Sequence, residues 1–112
     1  MAIGDRIPTE LIQPTVLTTT ATTVYTNTGV SYRTQATKLY LCNTGASQRV
    51  ITVFKNGLTV GNQILNSVTL PANTSTILDV SLVLTGSQTI GAKQDAGTDV
   101  NIALYGIVEQ IA

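Results

Sequence analysis

From Thr15 onward the chain is a succession of short runs rich in Thr, Val and Ile, broken by turn residues roughly every 10 positions, and this punctuation most limits its fold. β-Branched residues lose rotamer freedom in helices but pack well on a pleated, half-buried surface. Ala, Glu and Lys nowhere build a stripe at the helical period. The pattern predicts strands over Thr15–Thr20, Thr22–Asn27, Thr37–Asn43, Arg49–Lys55, Gln63–Leu70, Thr74–Val80, Ser87–Ala92 and Val100–Glu109. Inward–outward alternation is clearest at Lys38–Asn43, where Leu39 and Leu41 oppose Tyr40 and Cys42, at Val50–Lys55, and at Asn101–Val108. Several of these strands are apolar on both faces, more than one small core uses. Asn43-Thr44-Gly45-Ala46-Ser47, Asn56-Gly57, Leu70-Pro71-Ala72-Asn73-Thr74, Thr85-Gly86-Ser87 and Asp95-Ala96-Gly97-Thr98-Asp99 supply turns, Asn56-Gly57 being the strongest hairpin signal. The expected fold is all-β, an antiparallel β-sandwich of jelly-roll type with an extended N-terminal arm.

The arm is residues 1–14 and the sandwich domain residues 15–112. Pro8 and Pro14 bracket a segment too short for a stable helix and bias the residues before them to extended geometry. Ile3, Ile7, Leu11 and Ile12 would be costly to leave in water. Either they lay the segment on a neighbouring surface, of this subunit or of another, or the segment is an edge strand of its own domain.

Composition removes many functions. Of 112 residues 43% are hydrophobic and only 11% charged, against about 25% charged in an ordinary soluble domain. Six basic residues balance six acidic ones, which leaves no basic surface for nucleic acid and little charge to resist association. With no His and one Cys, there is no His base and no Cys/His metal set. Cys42 is expected as a small buried hydrophobe in a chain without disulfides. Neither a leader peptide nor an apolar run long enough for a membrane helix is visible, so no membrane partner is expected. Glycine motifs of the phosphate-cradling and nucleophile-elbow types are missing. No catalytic residue, cofactor, metal or small-molecule substrate is therefore expected.

Two groups of residues still invite chemistry. Asp95 and Asp99 flank a loop glycine, but two carboxylates fall short of a calcium loop, so a solvated tip is expected. Asp79 lies within a strand, where a neighbouring Lys or Arg can pair with it. A glycosidase pair drawn from Asp79, Asp95, Asp99 and Glu109 has nothing besides spacing in its favour. Among the tyrosines, Tyr25 or Tyr32 could form a sugar-stacking face, with packing in the core or between subunits the stronger reading.

Ala21-Thr22-Thr23-Val24-Tyr25-Thr26, Leu39-Tyr40-Leu41-Cys42-Asn43-Thr44-Gly45, Leu70-Pro71-Ala72-Asn73-Thr74-Ser75-Thr76-Ile77-Leu78, Leu84-Thr85-Gly86-Ser87-Gln88-Thr89-Ile90 and Val100–Glu109 occur in that order. This arrangement, from about Ala21 to Glu109, resembles the small β-sandwich virion proteins of tailed bacteriophages. The resemblance implies a non-enzymatic structural virion protein, a capsid cement or decoration protein that sits as a homotrimer and bridges subunits of the major capsid protein. It implies assembly in the host bacterial cytoplasm, with Ile3, Ile7, Leu11 and Ile12 as contacts to capsid or to an adjacent copy. The alternative within the class is a tail- or fibre-associated module that binds a host receptor or carbohydrate. A cellular adhesin or matrix module and an enzyme rank behind both.

Overall fold

A computed structural model describes residues 2–112. Eight strands follow one another: β1 Arg6–Val16, β2 Thr22–Thr26, β3 Tyr32–Asn43, β4 Arg49–Lys55, β5 Gln63–Leu70, β6 Thr74–Thr85, β7 Thr89–Gln94 and β8 Val100–Gln110. They form two four-stranded sheets, β1-β8-β3-β6 and β2-β7-β4-β5, antiparallel throughout. Only β4 and β5 are consecutive neighbours in one sheet; every other connection crosses to the opposite sheet. This order is the double Greek key of a jelly roll.

The core follows from alternation. Leu39 and Leu41 on β3, Ile102 and Leu104 on β8 and Leu84 on β6 face Ile51 and Val53 on β4 and Ile90 and Ala92 on β7, all of them buried. Each fully buried Leu or Ile contributes about 2 kcal/mol of hydrophobic stabilisation. The outward residues of those same strands are then available to make a surface.

The two ends of the sandwich are closed by matching devices. At one end the buried Asn43 amide donates to the carbonyls of Ser47 at 2.8 Å and of Leu70 and Pro71 at 3.2 Å. Its oxygen accepts from Gly45 N–H at 3.0 Å. At the other end buried Asn27 donates to the carbonyls of Tyr32 and Gly86 at 2.9 Å and approaches that of Gly29 at 3.3 Å. Thr34 donates its hydroxyl proton to Asn27 Oδ1 at 2.6 Å, so the Tyr25 hydroxyl donates to Thr34 Oγ1 at 2.9 Å. In each case one amide satisfies carbonyls on separate crossovers, as buried polar groups require.

Several expectations change here. The segment expected as an arm is extended, but from Arg6 it is the edge strand β1, paired with β8 from Arg6↔Glu109 to Val16↔Asn101. No boundary falls between residues 14 and 15. The reason is that β1 places Ile12 in the core, at 4% exposure, while an edge position tolerates Pro8 and Pro14. The strand expected over Thr15–Thr20 ends at Val16, and Leu17 continues only as a single bond to the Val100 carbonyl at 2.8 Å. Asn56-Gly57 opens the β4–β5 hairpin as expected, with φ of 58° at Asn56. The connection is longer than a two-residue turn, however, and carries a 3-10 turn at Val60–Asn62. Thr85-Gly86-Ser87 and Asp95–Asp99 turn the chain between sheets instead of closing hairpins.

Candidate interaction face

The outer face of the β1-β8-β3-β6 sheet gathers most of the features that sequence alone left scattered. Strand pairing brings Glu10 beside Tyr105, Tyr40 beside Ala103 and Ile77, Lys38 beside Asp79, Cys42 beside Ser75 and Gln35 beside Val83. Three cations (Arg6, Arg33, Lys38) and three anions (Glu10, Asp79, Glu109) stand among these apolar groups, so the face is charged but neutral.

One half of the face is polar. Glu109 accepts from Arg33 Nε at 3.0 Å and lies 3.9 Å from Arg6 Nε. Arg6 also reaches Gln35 Oε1 at 3.5 Å. These groups, with Val83 and Ile107, line a depression of about 350 Å³. The other half is drier. Tyr40 and Tyr105 meet edge to face, with ring centres 5.3 Å apart at 80°, a preferred aromatic geometry. With Pro14, Cys42, Asn101 and Ala103 they line a second depression of about 350 Å³. The Tyr105 hydroxyl donates to Glu10 Oε2 at 3.0 Å. That bond, then partial desolvation and the Glu10 charge, holds its phenol above the ordinary value. Lys38 is likewise held above its ordinary value, first by its hydrogen bond to Asp79 and then by the carboxylate's charge. Asp79 thus has the cross-strand partner that its place in a strand predicts.

The residues expected to anchor a partner are not brought together. Ile12 is core, and Leu11 packs against that core. The shift of register between Glu10 and Ile12 turns both toward the interior, Ile12 fully and Leu11 in part. Ile3 and Ile7 stay exposed, at 71% and 44%. Cys42 is half-buried on the outer face instead of in the core, and its sulfur accepts from Ser75 Oγ at 3.4 Å. Tyr25 is turned inward onto Thr34, and Tyr32 is half-buried at the Asn27 end, so neither builds a sugar-stacking face. The four carboxylates considered for catalysis are dispersed. Asp79 and Glu109 bond to cations on the outer face, Asp99 pairs with Arg49 at 2.6 Å, and Asp95 accepts from Val50 N–H at 3.0 Å. The Asp95–Asp99 loop is therefore a tied crossover, not a free tip.

Sequence reasoning missed Ile77, Val83 and Ile107 as surface residues. The signal was present in β6, where Ile77 and Val83 alternate with Leu78, Val80, Leu82 and Leu84. An edge strand apolar on both faces covers one core and offers a second surface.

No protein-family model matches the chain, and no curated protein does. Solved structures do. A subunit of the Bacillus endospore appendages, described as disulfide-linked pili, superposes with a TM-score of 0.60 at 14% identity, over 99% of this chain and 93% of that one. The coat protein of Tobacco streak virus superposes with a TM-score of 0.51 at 10% identity, over 96% of this chain and 86% of that one. A chain of the T13 particle of IBDV matches with a TM-score of 0.52 at 10% identity; it covers 97% of this chain but only 29% of the viral one. The likeness is one of fold. An all-β jelly-roll sandwich of this kind is shared with viral coat proteins and a pilus subunit.

Proposed function

We propose that this protein is a non-enzymatic structural component of a virion, a capsid cement or decoration protein that bridges major capsid subunits and copies of itself. The observation that carries the reading is the outer face of the β1-β8-β3-β6 sheet: neutral in charge, half apolar, and continuous across four strands. Such a surface suits geometric fit to another subunit, with an aromatic pair on one half and charged groups on the other. Binding only to the assembled shell would stabilise that shell by linkage, and many copies would act together. Trimers are the form implied by the resemblance to phage virion proteins, and assembly in a bacterial host belongs to the same reading. The jelly-roll likeness to viral coat proteins supports it.

Tyr40→Ala tests the proposal on purified particles, with copy number read by quantitative mass spectrometry. Loss of a central aromatic anchor is worth on the order of 2 kcal/mol, or about 30-fold in affinity. Occupancy is expected to fall while the melting temperature of the free protein hardly moves; unchanged occupancy counts against this face.

A second reading is favoured by the Tyr40–Tyr105 pair beside its depression, since an exposed ring (Tyr40) held by a half-buried one and flanked by polar groups suits a sugar ring. A tail- or fibre-borne carbohydrate or receptor module would give a specific, Tyr40-dependent signal on a glycan array, whereas a cement protein would bind capsids and ignore glycans.

A further inference from the structure

The four edge strands of the sandwich are not equally guarded. Exposed edges invite pairing with another chain and are normally blunted. β1 carries Pro8 and Pro14 and shifts register twice against β8. β2 is only five residues long. β5 shifts register twice against β4, and Ser67 sits at a φ of 60°. β6 is different. It runs for 12 residues with no Pro, Lys or Arg. It has one register shift, where Val80 and Ser81 stand against the single Thr37 of β3, and its alternation of inward and outward residues runs through that point unbroken. Two large apolar side chains, Ile77 at 58% and Val83 at 45% exposure, stand on its outward face.

We propose that β6 is a self-pairing strand: two copies of this chain join by antiparallel β6–β6 addition about a twofold axis at Val80. The sequence around Val80 reads nearly the same in both directions. Pairing about that residue sets Ile77 opposite Val83 on the outer face, Leu78 opposite Leu82 on the inner face, and Asp79 opposite Ser81. Cross-strand apolar pairs of this kind are the unit of sheet stabilisation. Charge selects the register. An axis at Asp79 would oppose two carboxylates, and one at Ser81 would oppose Asp79 to Val83. With the axis at Val80, Asp79 keeps Lys38 as its partner within its own chain. This isologous contact is self-complementary as a twofold requires, and it merges two four-stranded sheets into one. It goes beyond the virion reading, because it names which edge joins copies and would link two trimers or form a dimer alone.

The test uses the full chain and no capsid, so it is independent of the proposed function. In a Cys42→Ser background, Asp79→Cys and Ser81→Cys are made separately, one copy carrying a mass tag. Mild oxidation of the mixture is expected to give mainly the tagged–untagged heterodimer, with little product from either variant alone. Separately, Ile77→Lys with Val83→Lys places like charges opposite one another across the axis. It is expected to halve the sedimenting mass while keeping the melting temperature of the wild type diluted to its monomer, since both side chains point outward. A monomeric wild type, a mass unaffected by the two lysines, or preferential Asp79→Cys self-crosslinking would overturn the proposal. So would pairing only with an extended segment of another protein.

Discussion

The two buried asparagines decide how the sandwich ends are sealed. Replacing Asn43 by Ala strands the carbonyls of Leu70 and Pro71 without the amide that serves them. The expected loss is about 3 kcal/mol, read as a shift of the urea midpoint with little change in its slope. Asn43-Thr44-Gly45 was legible as a turn because such residues favour one; the amide's reach to the β5–β6 crossover was not, since that contact is far away in sequence. The same triplet recurs at Asn27-Thr28-Gly29, where it closes the opposite end. Gly106 is a second decisive residue. A methyl group there would collide with the Gln35 carbonyl and lie 2.8 Å from Ala36 Cα, both backbone. Gly106→Ala is therefore expected to cost more than about 4 kcal/mol or to prevent folding, measurable by chemical denaturation. Tyr105 and Lys38 set an alkaline limit. Both hold their protons more tightly folded than unfolded, so their contribution is full below the ordinary values of 10.0 and 10.5 and is lost as pH rises through the raised folded values. Thermal melts taken above pH 10 should show stability falling with pH, and Tyr105→Phe should flatten that fall.

Among the strands, legibility followed how cleanly each one alternates and how its turns are marked. β4 and β5 lie at Arg49–Lys55 and Gln63–Leu70, the bounds the sequence predicts, because a turn signal brackets each. β3 begins five residues before its expected start: Arg33 and Gln35 are polar outward residues that hide the inward Thr34 and Ala36. β6 runs on to Thr85 because apolar residues on both faces blur the alternation that would mark its end. β1 remained ambiguous because its prolines and its bulge at Leu11 erase the period. Which strands pair could not be read locally, since seven strands depend on crossovers whose partners are distant. Leu58 folds back over Gly91, and Phe54, the cross-strand partner of Gly91, is buried outside the cluster that fills the sandwich. Leu58→Ala, at a side chain left 38% exposed, should cost only about 1 kcal/mol, read as a small shift of the urea midpoint.

At the scale of the whole molecule, β1 belongs to the folding unit. Deleting residues 1–14 removes Ile12 from the core and exposes the edge of β8. The expected result is loss of the cooperative thermal transition, not merely loss of an appendage; a truncated chain that melts like the intact one would show that β1 is dispensable. The crossovers at both ends tie the sheets together, so the intact chain should unfold in a single step by heat and denaturant. The outer aromatic face and the β6 edge sit on the same sheet, so a partner on one and a second copy on the other would engage one rigid plate. β1 and β8 run antiparallel with Arg6 beside Glu109, and Gly4 N–H meets the Gln110 carbonyl at 2.8 Å. Tension applied between the two termini would peel this ladder open one rung after another, at low force. Load delivered across the broad surfaces would bear on all rungs together, which makes the molecule a plate to be pressed between neighbours and a poor link in a pulled string.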